Sequence, residues 1–555
     1  MTVELLVMGE LNMKVLGKFS ICFAVFLMGE FNMALAENYL VVNTNDSGLG
    51  SLRQAILNAN LHATNNITFA SGLDGQTITL ATGQLTISSN VVIDASALPS
   101  KTTISGNGAS RVLQISAPTI VTLIAVNITG GHAASGDTNI YSPVPYQHDG
   151  SSGGGIFNSG FLTLTNCTVS GNSAGNSSPA QFVVYAPGPG GWKVYGGGEG
   201  GKGGGIYNDG TLVFNYSTVS YNTGGWSSTD LGGSGGGICN VGSAQIINSI
   251  ITGNRSGAAG YAFPNDNGHG GNGGGLYNSG TMKMDGTTVS GNTTGLGWGD
   301  VGGNGGNGGG ASNDGNMLVA NSTISGNVTG FGGGEMGYSG FGGGLYDTGT
   351  LTISNSTISA NSVPNSPSSA QGGGISLLGG TVTIYNSIVA GNVAPWGSNL
   401  GSYYGMINLI GTNLVDVEPL LAPLGCYGGF TPTMPPLAGS PAIDAGVDAN
   451  LPVTDQRGLP RLLGAHVDIG AVERVTTAQI SIGSNPVRLM DGSFYFCFTN
   501  APGVVFRVLA STNLASALPG WSVLDGVNEN PFGQFQFTDS AASNYPCRFY
   551  RVVAP

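Results

Sequence analysis

Apolar positions fall into a fixed figure between Gly153 and Asn392. Seven blocks open on three glycines, beginning at Gly153, Gly203, Gly235, Gly273, Gly308, Gly342 and Gly372, and close on Asn172, Asn222, Asn254, Asn292, Asn327, Asn361 and Asn392. Counted from the first glycine, an apolar or small residue stands at offset 3 (Ile156, Ile206, Ile238, Leu276, Ala311, Leu345, Ile375). Further apolar positions follow at offsets 9 and 11 (Leu162 and Leu164, Leu351 and Ile353) and at offset 16 (Val169, Val219, Ile251), with a one-residue shift in the seventh block. A spacing of two is that of a strand with one face turned inward. Three short strands per block therefore predict a coil around one apolar interior.

The stretches between blocks run to 30, 12, 18, 15, 14 and 10 residues. A constant core with elastic connections is the mark of a solenoid whose insertions leave from one face. A propeller blade needs about 40 residues, and no block has the helical period of a leucine-rich horseshoe. Asparagine also recurs at offset 5 (Asn158, Asn208, Asn240, Asn278, Asn313) and at offset 13 (Asn166, Asn248, Asn321, Asn355, with Asn386 shifted). Stacked amides can bond along a coil, and asparagine tolerates left-handed corners. The expected fold is a parallel β-helix.

Outside the blocks the pattern changes. Residues 67–132 alternate in strand fashion and are read as degenerate early turns of a coil spanning 67–400. In residues 37–66 a strand at 39–42 precedes a short amphipathic helix with Leu52, Ala55, Ile56 and Ala59 on one face. Ser51 and Gln54 suit its capping box, and the segment is expected to cap the N-terminal end. Residues 475–555 carry five short aromatic-rich strand patterns, expected as a small antiparallel β-sandwich-like domain.

Composition sharpens this picture. Glycine numbers 98, charged residues are only 8%, and the net charge is -13 with the few cations scattered, so nucleic acid is not an expected partner. Within residues 1–36, Lys14 and Lys18 flank an apolar run from Phe19 to Met28, followed by Ala34-Leu35-Ala36, as in a secretory signal. Export to the cell surface, outer membrane or medium is expected, with no transmembrane span in the mature chain. Cys497 and Cys547 could pair in an oxidising compartment or remain buried thiols.

The glycine-triplet opening and the Asn-Ser-Thr-Ile-Ser-Gly-Asn closing resemble repeats of bacterial polymorphic outer-membrane proteins and secreted right-handed parallel β-helix proteins. Residues 50–56 are similar to the CSLREA signature, with Gly50 in place of its Cys and Gln54 in place of its Glu. Residues 401–474, through Ser440–Gly446, Asp455–Gly458, Arg461 and Asp468–Glu473, resemble the choice-of-anchor Q module. The resemblance implies an all-β, exported, right-handed parallel β-helix and no particular chemistry.

Asp314 and Asp347 are the one pair of repeat carboxylates expected on adjacent turns, and they are the catalytic candidates. Both also fit structural positions, Asp314 in an Asn-Asp-Gly turn and Asp347 in the asparagine ladder. Asp444, Asp455, Asp468 and Glu473 could hold Ca²⁺ through hard oxygen ligands. The accompanying Arg457 and Arg461 favour instead a carboxylate–arginine network closing the C-terminal end of the coil. No other cofactor is expected. The insertions carry Trp192, Trp226, Tyr261 and Trp298, with Phe331 and Tyr338 among their other aromatic residues, on one edge of the stack if the repeat register holds. They are suited to stacking on sugar rings or to protein contacts if they do not fold back onto the coil. Two functions follow: non-enzymatic adhesion through an extracellular glycan or cell-surface protein, or a polysaccharide lyase or glycoside hydrolase.

Overall fold

The computed structural model describes residues 37–62, 65–137, 148–179, 181–183, 193–195, 198–228, 230–260, 268–299, 302–334, 336–364, 371–449, 451–474, 487–489, 492–499, 506–513, 520–524, 527–529, 534–545 and 547–553. The signal-like segment, Trp192 and Tyr261 lie outside these residues.

Each block forms three strands, which in the first are Ile156–Asn158, Phe161–Thr165 and Thr168–Ser170. Successive turns pair in parallel, building an opening sheet of 10 strands, a middle sheet of 12 and a closing sheet of 11. The register repeats the offsets: Ile156 faces Ile206, Leu162 faces Leu212 and Val169 faces Val219. The inward columns are fully buried in one continuous core. The protein is thus a parallel β-helix, and residues 65–129 supply its early turns.

Three polar ladders tie the corners. Asn158 Nδ2 donates to Asn208 Oδ1 at 2.6 Å, and the series continues through Asn240, Asn278 and Asn313. The closing asparagines bond from Asn172 to Asn392 at 2.8–3.0 Å, every one buried. A third ladder, unexpected from the sequence, uses hydroxyls at offset 14: Ser217 Oγ accepts from the Cys167 amide and Ser249 Oγ from the Ser217 amide. The offset-13 asparagines turn the corner with positive φ, from +44° at Asn321 to +51° at Asn166, and Tyr216 at +45° and Gly286 at +61° do so in the same place. Side chains that bond locally make this conformation accessible to asparagine.

The N-terminal end is closed by a helix, Leu52–Ala59, whose buried residues are Leu52, Ala55, Ile56 and Ala59. Ser51 Oγ accepts the Gln54 amide, but the Gln54 side chain bonds Asn58 instead, so the expected capping box is half formed. Arg53 fixes the helix to the coil through Asp46 Oδ1 at 2.7 Å and the Gln84 carbonyl at 2.9 Å.

The connections are built as regularly as the coil. After each closing asparagine an outgoing leg departs, and an incoming leg returns to the next glycine triplet. Outgoing legs of neighbouring turns bond to one another, as Ala174 N–H to Thr223 C=O at 3.0 Å and Gly224 to Arg255 at 2.9 Å. Incoming legs do the same, as Gly200 to Leu231 and Gly232 to His269. Between the two layers the bonds zigzag: Gly201 donates to Gly175, Gly225 to Gly201, Gly233 to Gly225, Gly257 to Gly233 and Gly271 to Gly257, each at 2.8 Å. The layers approach so closely that a Cβ on Gly232 would lie 2.0 Å from the Gly257 oxygen, and one on Gly305 1.9 Å from the Gly330 oxygen. Within a layer, a Cβ on Gly257 would lie 1.8 Å from the Gly225 oxygen one turn away. Glycine is required here by space. The legs form a two-layered glycine fin along one corner of the coil.

The C-terminal residues form two small antiparallel sheets of four and three strands. Phe496, Phe498, Phe506, Phe535 and Phe537 make their separate core. Cys497 is half-buried and Cys547 exposed, and the two are not joined.

Gly257→Ala is expected to destabilise the protein by about 1–3 kcal/mol, the range for overpacking a tight interior. Thermal unfolding checks this, and a wild-type transition would show that the legs yield easily.

Candidate functional site

The two repeat carboxylates fall on opposite sides of the coil wall. By register Asp347 faces Asn313, and its side chain is inaccessible to solvent in the opening ladder. Asn313 Nδ2 donates to Asp347 Oδ1 at 2.6 Å. Asp314 is on the outside, where its Oδ2 accepts from the Tyr277 hydroxyl at 2.6 Å and its Oδ1 from the Thr348 hydroxyl at 2.8 Å. A substrate on the outer face can reach Asp314 and not Asp347, so the pair does not present two carboxylates to one glycosidic bond.

Asp347 also ends the ladder. In the turn before, Asn313 Nδ2 donates to the carbonyls of Gly315 at 3.1 Å and Thr350 at 3.2 Å. Asp347 Oδ2 occupies the corresponding place and has no partner. Leu377 follows it in register and offers no amide. An ionised oxygen facing acceptors is unfavourable, and a protonated one can donate. Burial raises the Asp347 pKa from 3.8 to about 6, Asp314 adds to the rise, and the Asn313 and Gly349 donors oppose it.

The four acidic candidates of residues 401–474 are occupied by loop amides. Asp455 accepts from Arg457, Leu459 and Glu473 amides at 2.8–3.1 Å and pairs with the Arg457 guanidinium at 2.8 Å. Asp468 accepts from Asp444 and Arg474 amides, Glu473 from Leu463 and Asp468, and Asp444 from Ala465. Burial pushes the Glu473 carboxyl up to about 7. Among the described residues no group of three His, Cys, Asp or Glu side chains is arranged to hold a metal ion.

This network lies beside the coil, whereas the sequence suggested that it closes the end. Gln456 reaches across two turns of the closing sheet, accepting from Thr323 Oγ1 at 2.6 Å and donating to Thr288 Oγ1 at 2.9 Å. Further along, Thr357 Oγ1 accepts the Ala471 amide, and the Asn386 side chain exchanges two bonds with Val447, each at 2.8 Å. Tyr216 meets Phe430 edge to face at 5.5 Å. The fully buried Arg461 donates to the Gly470 carbonyl beneath this strap. The outward Thr288, Thr323 and Thr357 are consequently buried, while Thr168 and Thr218, on earlier turns, are half-buried.

The fin carries accessible aromatic groups, and others, such as Tyr221 at 72% and Tyr404 at 86%, lie outside its legs. Trp226 is 41% exposed, Trp298 53% and Phe331 55%, with Tyr338 also exposed. The Trp226 ring rests on Gly260, where a Cβ would meet it at 2.2 Å, so only part of its surface is covered. Trp298 exchanges backbone bonds with Gly268 at 3.0 Å in both directions. Through the bonds Ser227 to Ala258, Ala259 to Leu296 and Gly297 to Phe331, Trp226 and Phe331 share one leg position three turns apart. At the usual strand spacing that is about 14 Å. The sequence places Phe331 and Tyr338 with the tryptophans on one edge of the stack, and the legs bring Phe331 into register with Trp226.

No family model, curated protein or solved structure matches the chain.

Asp347→Asn supplies the missing donor. Wild-type stability falls as pH rises from about 4 to about 6, because the folded state holds the proton that the unfolded state releases at its ordinary value near 3.9. The variant is expected to unfold at a higher temperature than wild type at pH 8, with the advantage shrinking below pH 5. An equal difference at both pH values would contradict a neutral Asp347.

Proposed function

We propose that this is an exported surface protein that binds an extracellular glycan without cleaving it, through the aromatic edge of the glycine fin. The observation carrying this reading is the pairing of exposed rings with a fixed frame: Trp226, Trp298 and Phe331 are on legs whose amides are bonded turn to turn. A frame already ordered before binding loses little conformational entropy when a sugar stacks on it. Trp192 and Tyr261, in the first and third insertions of the sequence, are further candidates. The secretory pattern of residues 1–36 and the resemblance to polymorphic outer-membrane, CSLREA and choice-of-anchor proteins support an extracellular setting. The carboxylates favour no hydrolytic or eliminative alternative, since Asp347 is enclosed and Asp314 is bonded to Tyr277 and Thr348.

A panel of neutral and acidic polysaccharides, assayed for both retention and release of new chain ends, tests this. At least one glycan is expected to be retained without turnover. The double change Trp226→Ala and Trp298→Ala should weaken retention tenfold or more, and Asp314→Asn should leave it unchanged. Turnover abolished by Asp314→Asn would overturn the reading.

A further inference from the structure

The two ends of the coil are finished differently. At the N-terminal end the helix Leu52–Ala59 covers the interior. At the other end the chain, instead of crossing the open cross-section, turns back along the closing sheet to make the lateral strap. The last strands of the three sheets, Leu400–Ser402, Met406–Ile410 and Leu414–Val415, therefore end together.

The middle of these strands carries the consequence. Leu409 stands in the inward column, in register with Ile384. Ile384 is fully buried, yet Leu409 is 52% exposed. Met406 and Ile410 are exposed as well, at 62% and 52%. In its sheet Met406–Ile410 pairs only with Thr381–Tyr385, which leaves its other edge unpaired among the described residues. Between Val393 and Ala442 the only charged side chains are Asp416 and Glu418. Edge strands left free in stable proteins are usually blunted by lysine, proline or a covering segment. Met406–Ile410 contains neither residue.

We propose that this open end is an interface between two copies of the chain, joined tail to tail. A strand edge is complementary to itself when a two-fold axis runs perpendicular to it, because the second copy then arrives antiparallel. Such an axis passes between the two copies of Asn408, the central residue of Met406–Ile410, and lays each exposed Leu409 opposite Ile407 of the other copy. The helical cap at the opposite end blocks head-to-tail stacking, so the assembly closes at two and does not grow into a fibre. Each dimer presents two aromatic fins on one rod, and avidity for a repetitive ligand follows from that doubling.

The test is the mass of the full chain in solution, by sedimentation or light scattering, together with cross-linking. Wild type is expected to be dimeric, and Leu409→Lys monomeric with an unchanged circular dichroism spectrum. Leu57→Lys, on the exposed face of the cap helix, should remain dimeric. In a Cys426→Ser, Cys547→Ser background, Asn408→Cys should give an oxidised dimer, since directly opposed residues in an antiparallel pair stand about 4.5–5.5 Å apart at Cα, within disulfide reach. Met406→Lys supplies a second variant should Leu409→Lys fail to fold. A monomeric wild type, larger open oligomers, loss of the dimer in Leu57→Lys, or a dimer that survives both lysine changes in the final strand would each overturn the proposal. These outcomes are independent of whether any glycan binds.

Discussion

The close approach of the legs is the constraint on which the rest of the structure depends. A carbonyl oxygen of one leg occupies the place where a Cβ would stand on a glycine of the other layer, at 2.0 Å for Gly200, Gly232 and Gly270 and 1.9 Å for Gly305. That contact brings backbone donors and acceptors of two layers within bonding distance, so segments of varied length become a second ordered body beside the coil. Buried peptide groups must be paired, and here they pair across glycine faces where side chains have been given up. Apolar burial holds the coil, whereas backbone bonding holds the fin.

This division explains what could be read from the sequence. Apolar side chains at offsets 3, 9, 11 and 16 must face inward, so the three strands, their register and the parallel β-helix follow from their spacing. The helix over Leu52–Ala59 is equally legible, because its four buried residues lie on one face. Glycine carries no such pattern. A run such as Gly232-Gly233-Ser234 has the composition of a flexible loop, and only the spacing of the incoming legs on neighbouring turns shows that it is stacked. The position of the strap was hidden for a related reason. Thr288, Thr323 and Thr357 have the same alternation as threonines facing water, and nothing local distinguishes a threonine that bonds Gln456 or the Ala471 amide from one that is solvated.

The carboxylates show how register turns residue type into chemistry. Asp314 and Asp347 are both acidic and on adjacent turns, yet Asp347 ends a strand with its side chain inside the wall while Asp314, one offset later, stands in the exposed turn. Asp347 then acts as an asparagine whose donor has been replaced, at the last amide position before Leu377. In the strap, Asp455, Asp468 and Glu473 spend their oxygens on backbone amides, which shapes the loop against the coil. The exposed rings of Trp226, Trp298 and Phe331 stand instead on legs bonded turn to turn, and the fin's ordering fixes their place.

Residue-resolved amide hydrogen exchange in the native protein tests that ordering most directly. Gly201, Gly225, Gly233, Gly257 and Gly271 are expected to exchange as slowly as the amides of the neighbouring middle-sheet strands, because each donates into the fin. Exchange of these glycines at the rate of an exposed loop, with the coil strands still protected, would contradict the account.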